Sequence, residues 1–384
     1  MLAGPFTQVN VQDRGLSAMR TWKLAAAGAG RATRELTIPA LSAGRAFADL
    51  GRASLEAVAD IDGERLEALG RLSGGIRTYG DVAQMLEEER PDVLLINSPV
   101  AAHYEHAMLA IGRGVHFLIE KPATETSAQL REVRAAAEAA GVKGAVVHNL
   151  KFLHGFQKAW KWHQEGRLGK ILHIDRVFMT PPHADRMEMD PGGWWHRLPG
   201  GRLADSLPHH LYVAYPFVGE MRLEHVSARK LSADRPWSRC DEAEISLRAK
   251  ESYVHVRLST NQESLPAGKA SITFLMMLYG TRLNAAVFHP DAYPLIYPRA
   301  LRTFPTLLNE LGEVLRERVE LLARRPRERG LGGGHNVFIA RFLKYLEGEG
   351  PSPTPWDEAI HTMELSEQIG SAMEDSLRSR QSEF

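Results

Sequence analysis

The chain has 384 residues, of which 44% are hydrophobic and 24% charged, and it balances 47 Lys and Arg against 47 Asp and Glu. That length predicts two domains, and the even balance gives no electrostatic case for nucleic acid or an anionic membrane as partner. The single cysteine, Cys240, excludes an internal disulfide framework and a thiolate metal cluster.

Residues 1–20 lack the basic start and apolar run of a signal peptide, and no stretch reaches membrane-span length. The expectation is a cytoplasmic protein with an amino-terminal tail. Next, Trp22 to Ala27 is a short apolar run ending in Gly28-Ala29-Gly30-Arg31-Ala32-Thr33. A helical pattern follows through Leu36, Ile38 and Leu41, with Pro39 bending or ending it. Leu55 to Asp60 reads as a second strand finishing on a carboxylate, residues 63–70 as a helix, and Asp81 as the cap of VAQMLEEE. Asp92 to Asn97 reads as a buried strand, His103 to Ile111 and residues 126–140 as helices, and 142–149 as a further strand. Strands alternating with helices predict a doubly wound parallel sheet.

In that context Gly28 permits the tight turn out of the first strand, and Gly30 lets the backbone approach a pyrophosphate at the next helix N-terminus. Thr33 stands where a third glycine is usual and is expected to loosen helix–strand packing. Asp60 fits the carboxylate that accepts ribose hydroxyls, with the loop around 42–54 absorbing the 30-residue separation from Gly30. No arginine follows it until Arg65, a pattern that favours NAD over NADP.

Val115 to Ile119 runs straight into Glu120-Lys121-Pro122. An ammonium group is thereby placed at the carboxyl end of a parallel strand, the edge at which open α/β sheets bind ligands. Proline keeps Lys121 on a turn outside the ladder, and X-Pro bonds are the ones that adopt cis readily.

Further along, Asp205 and His209 are four residues apart and share a helix face. With Pro208 read as a first-turn residue, the helix is expected to begin near Ser206 or Leu207. His209 would then sit at the positive end of the helix dipole and stay neutral, as a general base requires. His209 and His210 point apart and no further ligand pattern accompanies them, so no metal site is expected. Trp194, Trp195, His183, Arg186 and Lys151 are candidates for a polar pocket with an aromatic wall. From residue 171 onward ILHIDRVF, EAEISLRA, SYVHVRLS, KASITFLMML and RLNAAVFH predict a largely antiparallel sheet, with Tyr279-Gly280-Thr281 as a hairpin tip. Leucines and valines across 305–322 form a helical face extended by Arg324, Arg325, Arg327 and Arg329. Two helices separated by a Pro-rich turn close the chain.

Together these pieces resemble the Gfo/Idh/MocA oxidoreductase family, named for glucose–fructose oxidoreductase and inositol dehydrogenase. The resemblance covers about residues 21–379 and rests on GAGRAT, the strand ending at Asp60, INSPVAAHYEHAMLAIGRGVHFLIEKP, VVHNLKF, GGRLADSLPHH and YLEGEGPSPTPWDEAI. It implies an α/β protein with a tail at 1–20, a Rossmann domain at 21–148 and a substrate-binding domain at 149–384. The large, mostly antiparallel open sheet of that second domain often forms a homodimer or homotetramer contact.

By motif, the resemblance implies that Lys121 hydrogen-bonds the reacting oxygen, that His209 is the acid/base, and that Asp205 orients the substrate or that histidine. Gly28, Gly30, Arg31, Ala32, Asp60, Ser98, His103 and Glu120 match cofactor positions. Asn149 matches a position near nicotinamide and substrate, Lys151 stands where the family usually has arginine, and Trp195 matches a frequent pocket-lining tryptophan. The family's Asp-x-Gly-x-His appears as Asp205-Ser-Leu-Pro-His209, so Leu207 replaces glycine and His210 competes for the acid/base role or a substrate contact. Residues 289–330 have no counterpart in the family pattern. The implied activity is NAD-dependent hydride transfer to or from a secondary alcohol or ketone of a sugar, cyclitol or nucleotide sugar. Its rivals are an NAD-retaining lyase or glycosidase and a catalytically silent nucleotide sensor.

Overall fold

The computed structural model describes residues 21–44, 53–72, 75–261, 273–288, 295–298 and 334–381, with Gly312, Leu315 and Val319 as isolated helical positions. The expected tail at 1–20, most of the loop around 42–54, nearly all of 289–330 and the four arginines near 325 lie outside the described residues.

Strands β1 (Trp22–Ala27), β2 (Ala53–Ala59), β3 (Arg77–Tyr79), β4 (Val93–Ile96), β5 (His116–Ile119) and β6 (Gly144–Val146) pair in parallel in the order β3-β2-β1-β4-β5-β6. Helices α1 (Ile38–Gly44), α2 (Gly63–Leu72), α3 (Val82–Glu89), α4 (His103–Gly112) and α5 (Ser127–Ala139) join them. Leu24 to Ala27 and all of β4 are buried, which is why these strands read as unbroken apolar runs and not as alternation. β3 is too short and too exposed to leave such a run. Asp81 caps α3 by accepting the Gln84 N–H at 2.7 Å.

Pro39 does not end its helix. Ala32–Thr37 is wound as a π-helix that passes directly into α1, with the Ile38 N–H bonding the Thr33 carbonyl, so the helix continues through Pro39, whose missing N–H leaves one carbonyl of the preceding turn without its usual partner.

The second sheet follows α6 (His154–Gln164). It comprises β7 (Ile171–Met179), β8 (Arg222–Arg229), β9 (Glu242–Ala249), β10 (Ser252–Ser259), β11 (Thr273–Gly280), β12 (Leu283–Phe288) and β13 (Leu295–Pro298), with α7 (Gly201–Val218) between β7 and β8. Its order is β13-β12-β11-β7-β10-β9-β8, and only the central β7–β10 pair is parallel. The β11–β12 connection is Thr281-Arg282, so the hairpin tip falls just beyond the expected Tyr279-Gly280-Thr281.

Two closing helices, α8 (His335–Leu346) and α9 (Trp356–Gln381), tie the sheets together. Phe338, Ile339, Phe342 and Leu343 of α8 join the core on one face of the first sheet, with Trp22, Leu24 and Val58. Along α9, Ala359, Ile360 and Met363 enter the other core of the first sheet, whereas Leu365, Ile369 and Met373 enter the core of the second. One helix thus shares its apolar surface between both sheets, and it also packs against α7. No described helix is long and apolar enough to cross a membrane.

Candidate active site

The strand order of the first sheet reverses between β1 and β4, and ligands of doubly wound sheets lie in the crevice beyond the carboxyl ends of such strands. Gly28 leaves β1 there at φ +102°, and a Cβ on it would stand 2.8 Å from the backbone of Asn97 and Ser98. Only glycine permits that approach. Around Gly30 a Cβ would meet nothing within 4 Å, so the loop leaves room for a phosphate group. Thr33 does not loosen the turn. Fully buried, it donates its hydroxyl to the Gly28 carbonyl and accepts from Asn97 Nδ2 at 2.9 Å, pinning the loop to the end of β4. Asp60, beyond β2, accepts the N–H of Ala29 at 2.7 Å and of Asp62 at 2.9 Å. Arg31 is exposed and paired with Glu35 at 3.0 Å, and Ala32 opens the π-helix behind it.

At the end of β4 the Ser98 hydroxyl meets His106 Nδ1 at 3.0 Å. His103 is buried, with Nε2 2.7 Å from the Ser98 carbonyl and Nδ1 2.9 Å from that of Pro122. Its ring therefore clamps the β4 loop to the Lys121-Pro122 turn, whose peptide is cis.

Lys121 Nζ lies 3.1 Å from both carboxylate oxygens of Asp205 and 3.2 Å from its carbonyl. This pair joins the carboxyl edge of the first sheet to α7. The start of α7 differs from the expected one. Gly200 and Gly201, at φ +81° and +63°, turn the chain into a helix that begins at Gly201, and Pro208 lies inside it. A Cβ at Gly200 would stand 2.8 Å from Met373 of α9, so the glycine pair fits the entry under that helix. Pro208 leaves the Ala204 carbonyl without its usual partner and opens the turn in which Lys121 reaches the Asp205 carbonyl.

Arg202, Asp205, His209 and Tyr212 fall at i, i+3, i+7 and i+10 and so form one stripe along α7. Arg202 pairs with Asp185 at 3.1 Å and approaches Asp205 at 3.6 Å. His209 Nδ1 lies 2.6 Å from the Tyr212 hydroxyl, which also contacts Asn149 Oδ1 at 3.2 Å and the Leu150 N–H at 3.3 Å. Being mid-helix, His209 owes nothing to the helix dipole. Burial chiefly, then the nearby charges of Lys121, His210, His148 and Arg202, push its pKa well below the ordinary imidazole value. The ring is neutral at pH 7, for a reason different from the expected one. Burial likewise drives Tyr212 well above 10.

Behind this stripe stands a buried polar web. His148 stacks on Tyr212 at 4.1 Å and shares Glu358 of α9 with Lys151, at 2.8 Å from His148 Nδ1. Lys151 is therefore engaged with a buried carboxylate. Burial alone would raise Glu358, but Lys151 and His148 hold it below the usual range. Glu120 meets His335 of α8 at 2.8 Å, and against the upward pull of burial His335 and Lys121 hold it low.

The other expected residues range from enclosed to exposed. His210 is fully enclosed, stacked on Phe274 at 5.8 Å and edge-on to Phe178 at 6.0 Å, on the sheet side of α7. Trp195 donates to the Met187 carbonyl at 2.8 Å, whereas Trp194 with Pro99, Val100 and Pro208 lines a cavity of about 690 Å³ beside Pro122. His183 and Arg186 are exposed. On the outward face of the second sheet His173, Asp175 and His255 bring ligand atoms within 4.8 Å of one another, although no metal site is expected from sequence; His173 and Asp175 already bond each other at 2.6 Å. Tyr212, Arg202, Glu358 and His335 escaped the sequence reading. The first two carry a signal, since they continue the Asp205/His209 face at helical spacing; the last two are brought in only by tertiary packing.

A family model described as oxidoreductase family, NAD-binding Rossmann fold (Gfo/Idh/MocA), matches residues 22–148. Among curated relatives, D-apiose dehydrogenase of Paraburkholderia graminis is 34% identical over 124 residues, covering 32% of this chain and 33% of its own. D-glucoside 3-dehydrogenase of Escherichia coli is 33% identical over 180 residues, covering 45% and 49%. The chain thus spans about a third to a half of the length of these two relatives. A similar fold is that of the WlbA dehydrogenase from Bordetella pertussis, solved with NADH and UDP-GlcNAcA, with a TM-score of 0.74, 17% identity, and 94% of this chain and 97% of the other covered.

Proposed function

We propose that the chain is an NAD-dependent dehydrogenase of a sugar-like secondary alcohol, a reading supported by the match of residues 22–148 to the NAD-binding Rossmann fold of the Gfo/Idh/MocA oxidoreductases. The observation that carries this reading is the meeting of Lys121, from the ligand-binding edge of the first sheet, with the Asp205/His209 face of α7.

The loop at Gly28 and Gly30 would hold the pyrophosphate and Asp60 the adenine ribose, and a bound nicotinamide supplies the hydride acceptor. A carboxylate at Asp60 repels a 2′-phosphate. Arg65 is already paired with Asp62 at 3.1 Å, and both features favour NAD over NADP. His209 takes the hydroxyl proton. Lys121, aimed by the two oxygens and the carbonyl of Asp205, stabilises the alkoxide that develops.

Tyr212 sets the tautomer. When its proton goes to Asn149 Oδ1, its oxygen accepts the proton on His209 Nδ1, which leaves Nε2 as the acceptor a base needs. Tyr212→Phe removes that partner. Its kcat is expected to fall about 10- to 100-fold, the scale for losing the group that orients a histidine, with NADH affinity unchanged. A variant with full kcat would take Tyr212 out of the mechanism.

The pH dependence follows from the lowered His209 pKa. The base is active when neutral, so activity falls as pH drops through its pKa, and burial moves that acid limb below the 6.5 of an ordinary histidine. A kcat/KM profile whose acid limb lies at or above 6.5 would assign the limb to another group.

Retained dinucleotide, read by native mass spectrometry, together with NADH formation across sugars, cyclitols and nucleotide sugars, tests the reading as a whole. Protein that neither retains nor binds NAD ends it. We place the subunit contact of a homo-oligomer on the outward face of the second sheet, where Tyr253 is 45% exposed, and the protein in the cytoplasm.

A further inference from the structure

Arg176 lies at the centre of the second sheet, on β7, with Val256 of β10 and Met276 of β11 as its cross-strand neighbours. Both neighbours are 1% exposed and Arg176 is 5% exposed. Nothing among the described residues compensates its charge: no carboxylate pairs with the guanidinium, no group accepts from it, and Nε is sealed from solvent without a partner. Burial pulls its pKa down to about 10, the mark of a cation held where it is poorly solvated.

Such a group is expensive to retain. A buried charge without a counter-charge costs several kcal/mol by general estimates, and buried polar atoms in folded proteins are overwhelmingly partnered. The other cations near the candidate site are matched, Lys121 by Asp205, Arg202 by Asp185 and Lys151 by Glu358. Arg176 is the exception, and its position gives the exception a meaning. It shares a face of β7 with Ile174 and Phe178, the face that α7 covers, and its charge acts on Tyr212 and His210 of that helix. Tyr212 is bonded to His209. The His210 ring nitrogens, beside Arg176, also lack partners.

Building on the dehydrogenase reading above, we propose that Arg176 binds an anionic oxo group of the substrate, a carboxylate or a phosphate, so that the enzyme acts on acidic and not neutral sugars. The planar guanidinium fork matches either group with two parallel hydrogen bonds. The anion would dock at the sheet while the carbinol to be oxidised lies by His209 and Lys121.

The test uses full-length protein loaded with NADH. Thermal shift and calorimetry are run with glucuronate, galacturonate and gluconate in one arm, glucose 6-phosphate in a second, and glucose and galactose in a third. Acids or phosphates are expected to bind the wild type, and Arg176→Met to weaken that binding about 10- to 100-fold, with Arg176→Lys intermediate. The stronger of the first two arms identifies the anion. Unliganded Arg176→Met is expected to melt roughly 2 °C or more above wild type, since it removes an unpaired buried charge; a merely structural arginine would do the reverse. Anions that bind no better than glucose, an Arg176→Met protein that binds them unchanged, or one that melts lower without ligand overturns the proposal. NADH formation is scored separately on the same panel. Anion binding through Arg176 without hydride transfer sinks only the dehydrogenase reading, whereas turnover of neutral sugars that survives Arg176→Met sinks only this inference.

Discussion

Lys121→Ala is expected to lose at least about a hundredfold in kcat while its NADH affinity stays within a few-fold of wild type. The ammonium is the one cation held at the carboxyl edge of the first sheet and on α7 at once, and no other described group replaces it. Groups that handle a proton or a developing charge in the transition state contribute roughly 10²–10⁴ in rate. The variant should fold, because Arg202 still stands 3.6 Å from the Asp205 carboxylate. Lys121→Arg keeps the charge but replaces a compact donor with a fork, and it should recover only part of the loss. Single-turnover hydride transfer measured on NAD-saturated enzyme makes the comparison. A Lys121→Ala rate within tenfold of wild type would leave the lysine as a mere clasp between the sheets.

Glu358→Leu should produce the largest loss of stability. The side chain of Glu358 is 6% exposed, and the two groups it serves, Lys151 and His148, are 8% and 2% exposed. Removing one partner of a buried pair costs about 3–5 kcal/mol, because the other charge stays behind without its counter-ion. Against a total of about 5–15 kcal/mol, such a loss corresponds to a fall in Tm on the order of 10 °C. Glu358 sits near the start of α9, so activity should fall with it: His148 is stacked on the tyrosine that orients His209. Glu358→Leu combined with Lys151→Met should regain most of the stability, since both charges are then gone. A single variant melting within 3 °C of wild type by calorimetry would show that the pair is solvated. The sign of the pH effect is fixed. Pairing holds Glu358 below the usual carboxylate range, so its contribution is present above that range and disappears as pH falls through the lowered pKa.

Much of the first sheet was written locally. An apolar run buried on both faces, a glycine at its end and a helix after it are features of neighbouring residues, and β1, β4 and β5 appear where those runs stand. The placement of Lys121 beyond a parallel strand is equally local, because proline ends a strand wherever it occurs. What was misread locally was misread for a physical reason. Pro208 marks a helix start only when the helix has no other, and Gly200-Gly201 provide one seven residues earlier by taking left-handed backbone beneath α9. Thr33 reads as a packing fault until the Gly28 carbonyl and Asn97, 64 positions away, are seen to bond its hydroxyl.

The sequence by itself determined the residue types of the site and the face they share: a lysine after a strand, then an aspartate and a histidine one helical turn apart. Short-range sterics and helical periodicity suffice for that. Only the tertiary structure decided that His209 feels the charge of Lys121 while His210 is enclosed against Phe178 and Phe274, that Lys151 is spent on Glu358, and that Arg176 is buried with no counter-charge among the described residues. Those outcomes depend on contacts between residues up to 207 positions apart, made when α9 divides its apolar surface between two sheets. No local pattern encodes them, because burial and charge pairing are properties of the assembled interior and not of the chain that folds into it.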